Sequence, residues 1–131
     1  RRITPQEREA LSVIQRASDA ALAAGDDDEF GRQGVRFHVT LWRATHNDVL
    51  FETTRNLAIR LNPFRMFQLR SDGRQVANNE DHKTLLTLID AGKADEAYTF
   101  MRGHVTVQGD VLAEYISVAP RPVLQTQAEY A

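Results

Sequence analysis

The chain has 131 residues, 42% hydrophobic and 26% charged, with a net charge of −2, four histidines and no cysteine. That is one domain's worth, long enough to bury roughly two-thirds of its unfolded surface. The net charge shows no basic surplus, so this stretch alone is a poor candidate for gripping phosphates. No apolar run approaches the ~20 residues of a membrane span, nothing resembles a signal peptide, and a disulfide framework is ruled out.

Every element reads as helix. Thr4-Pro5-Gln6-Glu7 is a helix opening, with Thr4 as cap, Pro5 in the first helical position and Glu7 completing a capping box. Leu11, Ile14, Ala17, Ala21 and Leu22 keep helical spacing to Ala24, and Gly25 stops the helix. Asp26-Asp27-Asp28-Glu29 reads as the next helix N-terminus rather than a calcium loop, because no acidic group follows at loop spacing. The second helix, from about Asp28 to Thr45, buries Phe30, Val35, Phe37, His38, Leu41 and Trp42, with Gly34 an unusual interior residue.

Asn47 or Asp48 caps a third helix carrying Val49, Leu50, Thr53, Leu57, Ile59 and Leu61, which Asn62-Pro63 should bend or split before Phe64, Met66, Phe67 and Leu69. Ser71-Asp72-Gly73 is a turn. Gly73 to Asn79 reads as loop or frayed turn, with Asn78 or Asn79 capping a helix that ends at Gly92. A last long helix is expected from Ala94 to about Ser117; Pro120 and Pro122 then end regular structure, leaving 118–131 as a tail. Only Val105-Thr106-Val107 hints at a strand, and it lies inside a helical pattern. The expectation is an all-α antiparallel bundle of five or six helices forming one domain over residues 1–131.

Three of the four histidines fall on apolar stripes. His82 is followed by Leu85, Leu86 and Ile89; His104 lies after Phe100 and Met101 and before Val107; His38 stands between Val35 and the pair Leu41 and Trp42. One such histidine alone is most simply a core imidazole satisfied by a neighbouring carbonyl. Three on different helices can converge on one metal ion and leave positions open for water or a carboxylate. His46, in a polar turn, reads as a surface residue. Asp81 is the one carboxylate near these histidines in sequence, and it faces away from the stripe of His82.

The runs Arg36 to Leu50 (RFHVTLWRATHNDVL) and Asp81 to His104 (DHKTLLTLIDAGKADEAYTFMRGH) carry a resemblance. With Phe37-His38, Asn47, Asp81-His82, the Gly92-Lys93 turn and Met101-Arg102-Gly103-His104, the chain resembles the FCD effector-binding domain of GntR-superfamily transcription regulators, from about Thr4 to Ser117. The resemblance implies a helical bundle holding a divalent metal, zinc or nickel, through three histidines that match His38, His82 and His104. It also implies a small organic acid as effector, and a cytoplasmic homodimer that contacts DNA through a winged helix-turn-helix lying outside this chain. That module and the domain's own first helix would precede Arg1. The family's metal-binding aspartate, one turn before the first histidine, is Gly34 here, which leaves a coordination position open.

Trp42, Asn78, Met101 and Gln108, each about a turn from a histidine, are the candidates to line the effector site. The leading expectation is a sensing domain rather than an enzyme, with no membrane partner. The alternatives are a metal-free bundle binding an apolar or acyl ligand, and a hydrolytic metal site whose bound water is activated.

Overall fold

In a computed structural model, residues 3–71, 73–106 and 109–118 are described. They form six helices: α1 (Pro5–Ala24), α2 (Asp27–Arg43), α3 (Asp48–Leu69), α4 (Arg74–Asp90), α5 (Ala94–His104) and α6 (Gly109–Val118). No strand occurs among the described residues, so the all-α expectation holds. The chain divides into two compact units, one closing at Arg60 and the other opening at Leu61.

In the first unit, local chemistry sets the helix ends. The Thr4 hydroxyl accepts from the Glu7 backbone N–H at 3.2 Å, and the Glu7 carboxylate accepts from the Thr4 N–H at 2.7 Å. Two of the donors left over at a helix start are thereby satisfied. Gly25 ends α1 in the left-handed region, with φ +67°, where a side chain would be strained although open space surrounds it. Asp26 caps α2, accepting from the Glu29 N–H at 2.9 Å, which confirms the acidic run as a helix start. The two helices pack as a hairpin. Leu11, Ile14 and Ala21 of α1 and Phe30, Val35 and Phe37 of α2 are buried.

Leu41 and Trp42 are only half-buried. After α2, His46 sits at φ +53° and its Nε2 lies 2.7 Å from Glu7 Oε1. This surface histidine therefore ties the turn back to the start of α1. The Asn47 side chain caps α3, accepting from the Leu50 N–H at 3.0 Å.

Of the bend or split expected at Asn62-Pro63, the split does not occur, since α3 runs continuously from Asp48 to Leu69. Proline removes one N–H from the ladder and leaves the Ile59 carbonyl without its helical donor. Asn62 and Phe64, on either side, are both buried, and their packing holds the helix through it. Val49, Leu50, Leu57 and Leu61 are exposed, and Phe51, Phe64 and Leu69 are the buried apolar residues instead.

In the second unit, Gly73 (φ +71°) turns the chain into α4, which starts at Arg74. The expected loop over 73–79 is therefore helix, and Asn78 and Asn79 are buried inside it rather than capping it. Their preference for caps is outweighed by the packing of their face of α4. Asp72 lies outside the described residues. Gly92 (φ +70°) ends the α4 turn, and α4 packs on α5.

The expected long final helix is two helices. α5 stops at His104, where the β-branched pair Val105-Thr106 follows and the Thr106 hydroxyl donates to the Arg102 carbonyl at 2.6 Å. Val105 and Thr106 form no strand. Val107, Gln108 and the tail from 119 onward lie outside the described residues. Tyr115 of α6 packs its ring against Phe64 and Phe67, with centroids 5.6 and 5.4 Å away.

Candidate metal centre

α4 carries His82 on the same stripe as Leu85 and Leu86, as the spacing of four and three residues requires. The imidazole is 1% exposed. α5 brings His104 up as its last residue, with 4% of its side chain exposed. The two rings meet edge to face at 5.0 Å between centroids, and their Nε2 atoms are 3.2 Å apart. In the first unit, His38 is buried on α2 and stacks on Trp42 one turn later, at 6.0 Å and 30°. His38 belongs to the first unit, and His82 and His104 to the second. The facing Nε2 atoms of His82 and His104 form a donor pair that can hold a metal ion.

The electrostatics keep both rings unprotonated. Burial, reinforced by His104 and by the Arg65 guanidinium, pushes the His82 pKa down to about 2. His104 is also held below the usual imidazole value. Burial is the largest cause and outweighs the upward pull of Asp81, with Arg65 and Arg74 pressing the same way as burial. Both imidazoles are therefore neutral at physiological pH, the form a metal requires, since a protonated ring has no lone pair to give.

The spacing fits as well. Two nitrogens each ~2.0–2.1 Å from one tetrahedral zinc would be about 3.3 Å apart. The observed separation of the Nε2 atoms is 3.2 Å. The donor set thus fits a divalent metal ion for which imidazole is a good ligand.

Asp81 is the residue whose part the sequence did not disclose. Its carboxylate reaches across to α5. Its Oδ2 lies 2.9 Å from His104 Nδ1. The two residues are 23 apart in the chain, so the contact depends on how α4 packs against α5. The only signal in the sequence was an acidic residue immediately before a buried histidine.

The remaining candidates scatter. Trp42 touches His38, Asn78 is buried one turn before His82, and Met101 is half-buried one turn before His104. Gln108 lies outside the described residues.

Comparison with known proteins yields one finding. No curated protein and no solved structure matches the chain. The sequence model of the FCD domain matches residues 1–107, which includes all three inward histidines and Asp81. FCD domains are regulatory, ligand-sensing modules rather than typical catalysts, and this chain, matched over most of its length, belongs to the FCD domain family.

Proposed function

We propose that the chain is the effector-sensing domain of a GntR-type transcription regulator, in which His38, His82 and His104 hold a divalent metal that helps bind a small carboxylate or hydroxy-carboxylate. The observation that carries this reading is the pair of neutral, buried imidazoles whose Nε2 atoms face each other at 3.2 Å. Zinc or nickel, when bound, supplies a Lewis-acidic point for an anionic ligand.

The protein's own residues do the rest. The three imidazoles supply the donors, and Trp42, Asn78, Met101 and Gln108 are the side chains assigned to the effector. Gly34, one turn before His38, adds no side-chain ligand, so a coordination position is left for the effector's own oxygen. Regulation then follows from linkage. An effector that binds one arrangement of a cytoplasmic homodimer more tightly shifts the population toward it, and with it the spacing of winged helix-turn-helix modules carried elsewhere in the regulator. The described carboxylate beside the histidine pair, Asp81, is engaged with an imidazole rather than standing as a base, which favours sensing over hydrolysis.

The test begins with metal content by elemental mass spectrometry on untagged protein. Near-stoichiometric zinc or nickel is expected in the wild type, and none in His82→Ala. A thermal-shift screen of organic acids follows, with and without chelator. Saturation at a hundredfold over Kd adds about 2.7 kcal/mol of stability, and chelation should abolish that shift. A protein that takes up no zinc or nickel after soaking, and is stabilised by apolar or acyl ligands regardless of chelator, would replace this reading with a metal-free cavity.

A further inference from the structure

We propose that Asp81 is a positioning residue: its carboxylate holds His104 in the Nδ1–H tautomer and so turns the Nε2 lone pair of His104 toward His82, where a divalent cation binds. The inference rests on the metal-site reading above and assigns to it a residue that donates nothing to the metal.

The argument follows from what each group can give. A carboxylate only accepts hydrogen bonds, so the 2.9 Å contact with Asp81 Oδ2 requires a hydrogen on His104 Nδ1. A neutral imidazole with hydrogen on Nδ1 has its lone pair on Nε2. That lone pair faces His82 Nε2 across 3.2 Å. Two lone pairs cannot face each other at that distance without something positive between them.

In the metal-free protein the positive group is a hydrogen: His82 donates its Nε2–H to His104. With a metal bound, both Nε2 atoms give their lone pairs to the cation, and the His82 hydrogen must move to Nδ1. His104 needs no such change, because Asp81 has already placed its hydrogen on the far nitrogen. Asp81 therefore prepares one ligand, and uptake of the metal re-tautomerises the other. Both rings are neutral before and after, so the exchange is balanced without release of a proton from either.

Asp81 is well placed for this. Its carboxylate is about one-third exposed, so it stays hydrated while its partner ring is buried. It is also anchored on the same helix as His82, so one element positions both imidazoles. Carboxylates that hold the remote nitrogen of a metal-bound histidine typically change metal affinity by about 10- to 100-fold.

The experiment uses the full chain, labelled with 15N, and long-range proton–nitrogen correlation of the imidazoles at pH 7.5. Wild type, Asp81→Asn and Asp81→Ala are compared, each with and without zinc. Zinc affinity is measured in parallel by competition with a chromophoric chelator. Without zinc, wild type should show hydrogen on Nδ1 of His104 and on Nε2 of His82, and zinc should move the latter to Nδ1.

Asp81→Ala should mix the tautomers of His104 and weaken zinc by about 10- to 100-fold. Asp81→Asn keeps an acceptor without its charge and should fall between. Asp90→Asn, an exposed change at the end of the same helix, should do neither. Circular dichroism checks the fold, and Asp81→Asn, nearly isosteric, keeps the test open should the alanine variant unfold. An Asp81→Ala protein whose His104 keeps Nδ1–H, or whose zinc affinity is unchanged, overturns the proposal. If wild type takes no zinc, the metal reading fails separately, and the tautomer of His104 in the variants alone decides whether Asp81 positions it.

Discussion

The two helical hairpins, α1–α2 and α4–α5, share a plan and differ in purpose. Each joins its helices through a left-handed glycine, Gly25 at φ +67° and Gly92 at φ +70°. In the first hairpin both helices begin with a side-chain cap, from Thr4 and Asp26. In the second neither does; Gly73 and Lys93 precede the helices without a side-chain bond. The first hairpin buries Leu11, Phe30, Val35 and Phe37 almost completely. The second buries Leu85 and Leu86 but places Asn78, Asn79 and His82 in the same interior, and α5 has no fully buried residue. Both interiors hold polar groups, Gln15, Ser18, Gln33 and His38 in the first and Asn78, Asn79 and His82 in the second, but the first surrounds them with the larger set of buried apolar side chains. Buried polar groups weaken a core unless partners satisfy them, and the second hairpin has less apolar burial to offset that cost.

The largest effect expected from breaking this contrast is in the first core. Phe37 is 1% exposed, and Phe37→Ala should cost about 3–5 kcal/mol in denaturant unfolding. A loss below ~1 kcal/mol would show that the first hairpin is not the stable one.

The next effect is pH dependence of the metal-free protein, which belongs to the second hairpin. His82 titrates near 2 in the fold against 6.5 when unperturbed, so between these values the unfolded chain carries the extra proton. Its contribution is complete above about pH 6.5 and is lost as pH falls toward 2, at up to about 1.4 kcal/mol per pH unit. Urea unfolding at pH 7.5 and 5.0, with chelator present, measures the slope. His82→Gln should flatten it, and an equal slope in that variant would move the cause elsewhere.

The smallest effect sharpens the contrast in capping. Thr4→Ala removes the hydroxyl of the capping box and should cost about 1 kcal/mol in thermal unfolding. No side-chain cap exists at Gly73 to be removed, so Gly73→Ser, despite its left-handed backbone, tests whether α4 can gain one. A gain there would mean that the bare start of α4 is dispensable to its polar interior.

Some of this was legible residue by residue. Thr4, Pro5, Glu7, Gly25, Asp26 and Asn47 act within three or four positions of themselves, and each does what its local chemistry predicts. The inward stripe of His82 is likewise a consequence of helical spacing alone. Where expectation and structure part, a competing contact from a distant segment decides. Asn78 and Asn79 favour caps, yet both are buried inside α4 and stay helical. Pro63 disfavours helix, yet its buried neighbours carry α3 past it. The last helix breaks at Val105 because the β-branched pair Val105-Thr106, with the Thr106 hydroxyl bonded to the chain's own backbone, outweighs the apolar periodicity.

For the candidate centre, sequence by itself determined that three histidines lie on apolar faces of helices, because a period of 3.6 residues sorts side chains by face whatever the helix packs against. It determined their residue types and hence the class of metal they suit. Only tertiary structure decided that His104 meets His82 at 3.2 Å and takes its orientation from Asp81. Those contacts span 22 and 23 positions of chain, and a helix face says which way a side chain points but not what the packing of the next helix will set in front of it.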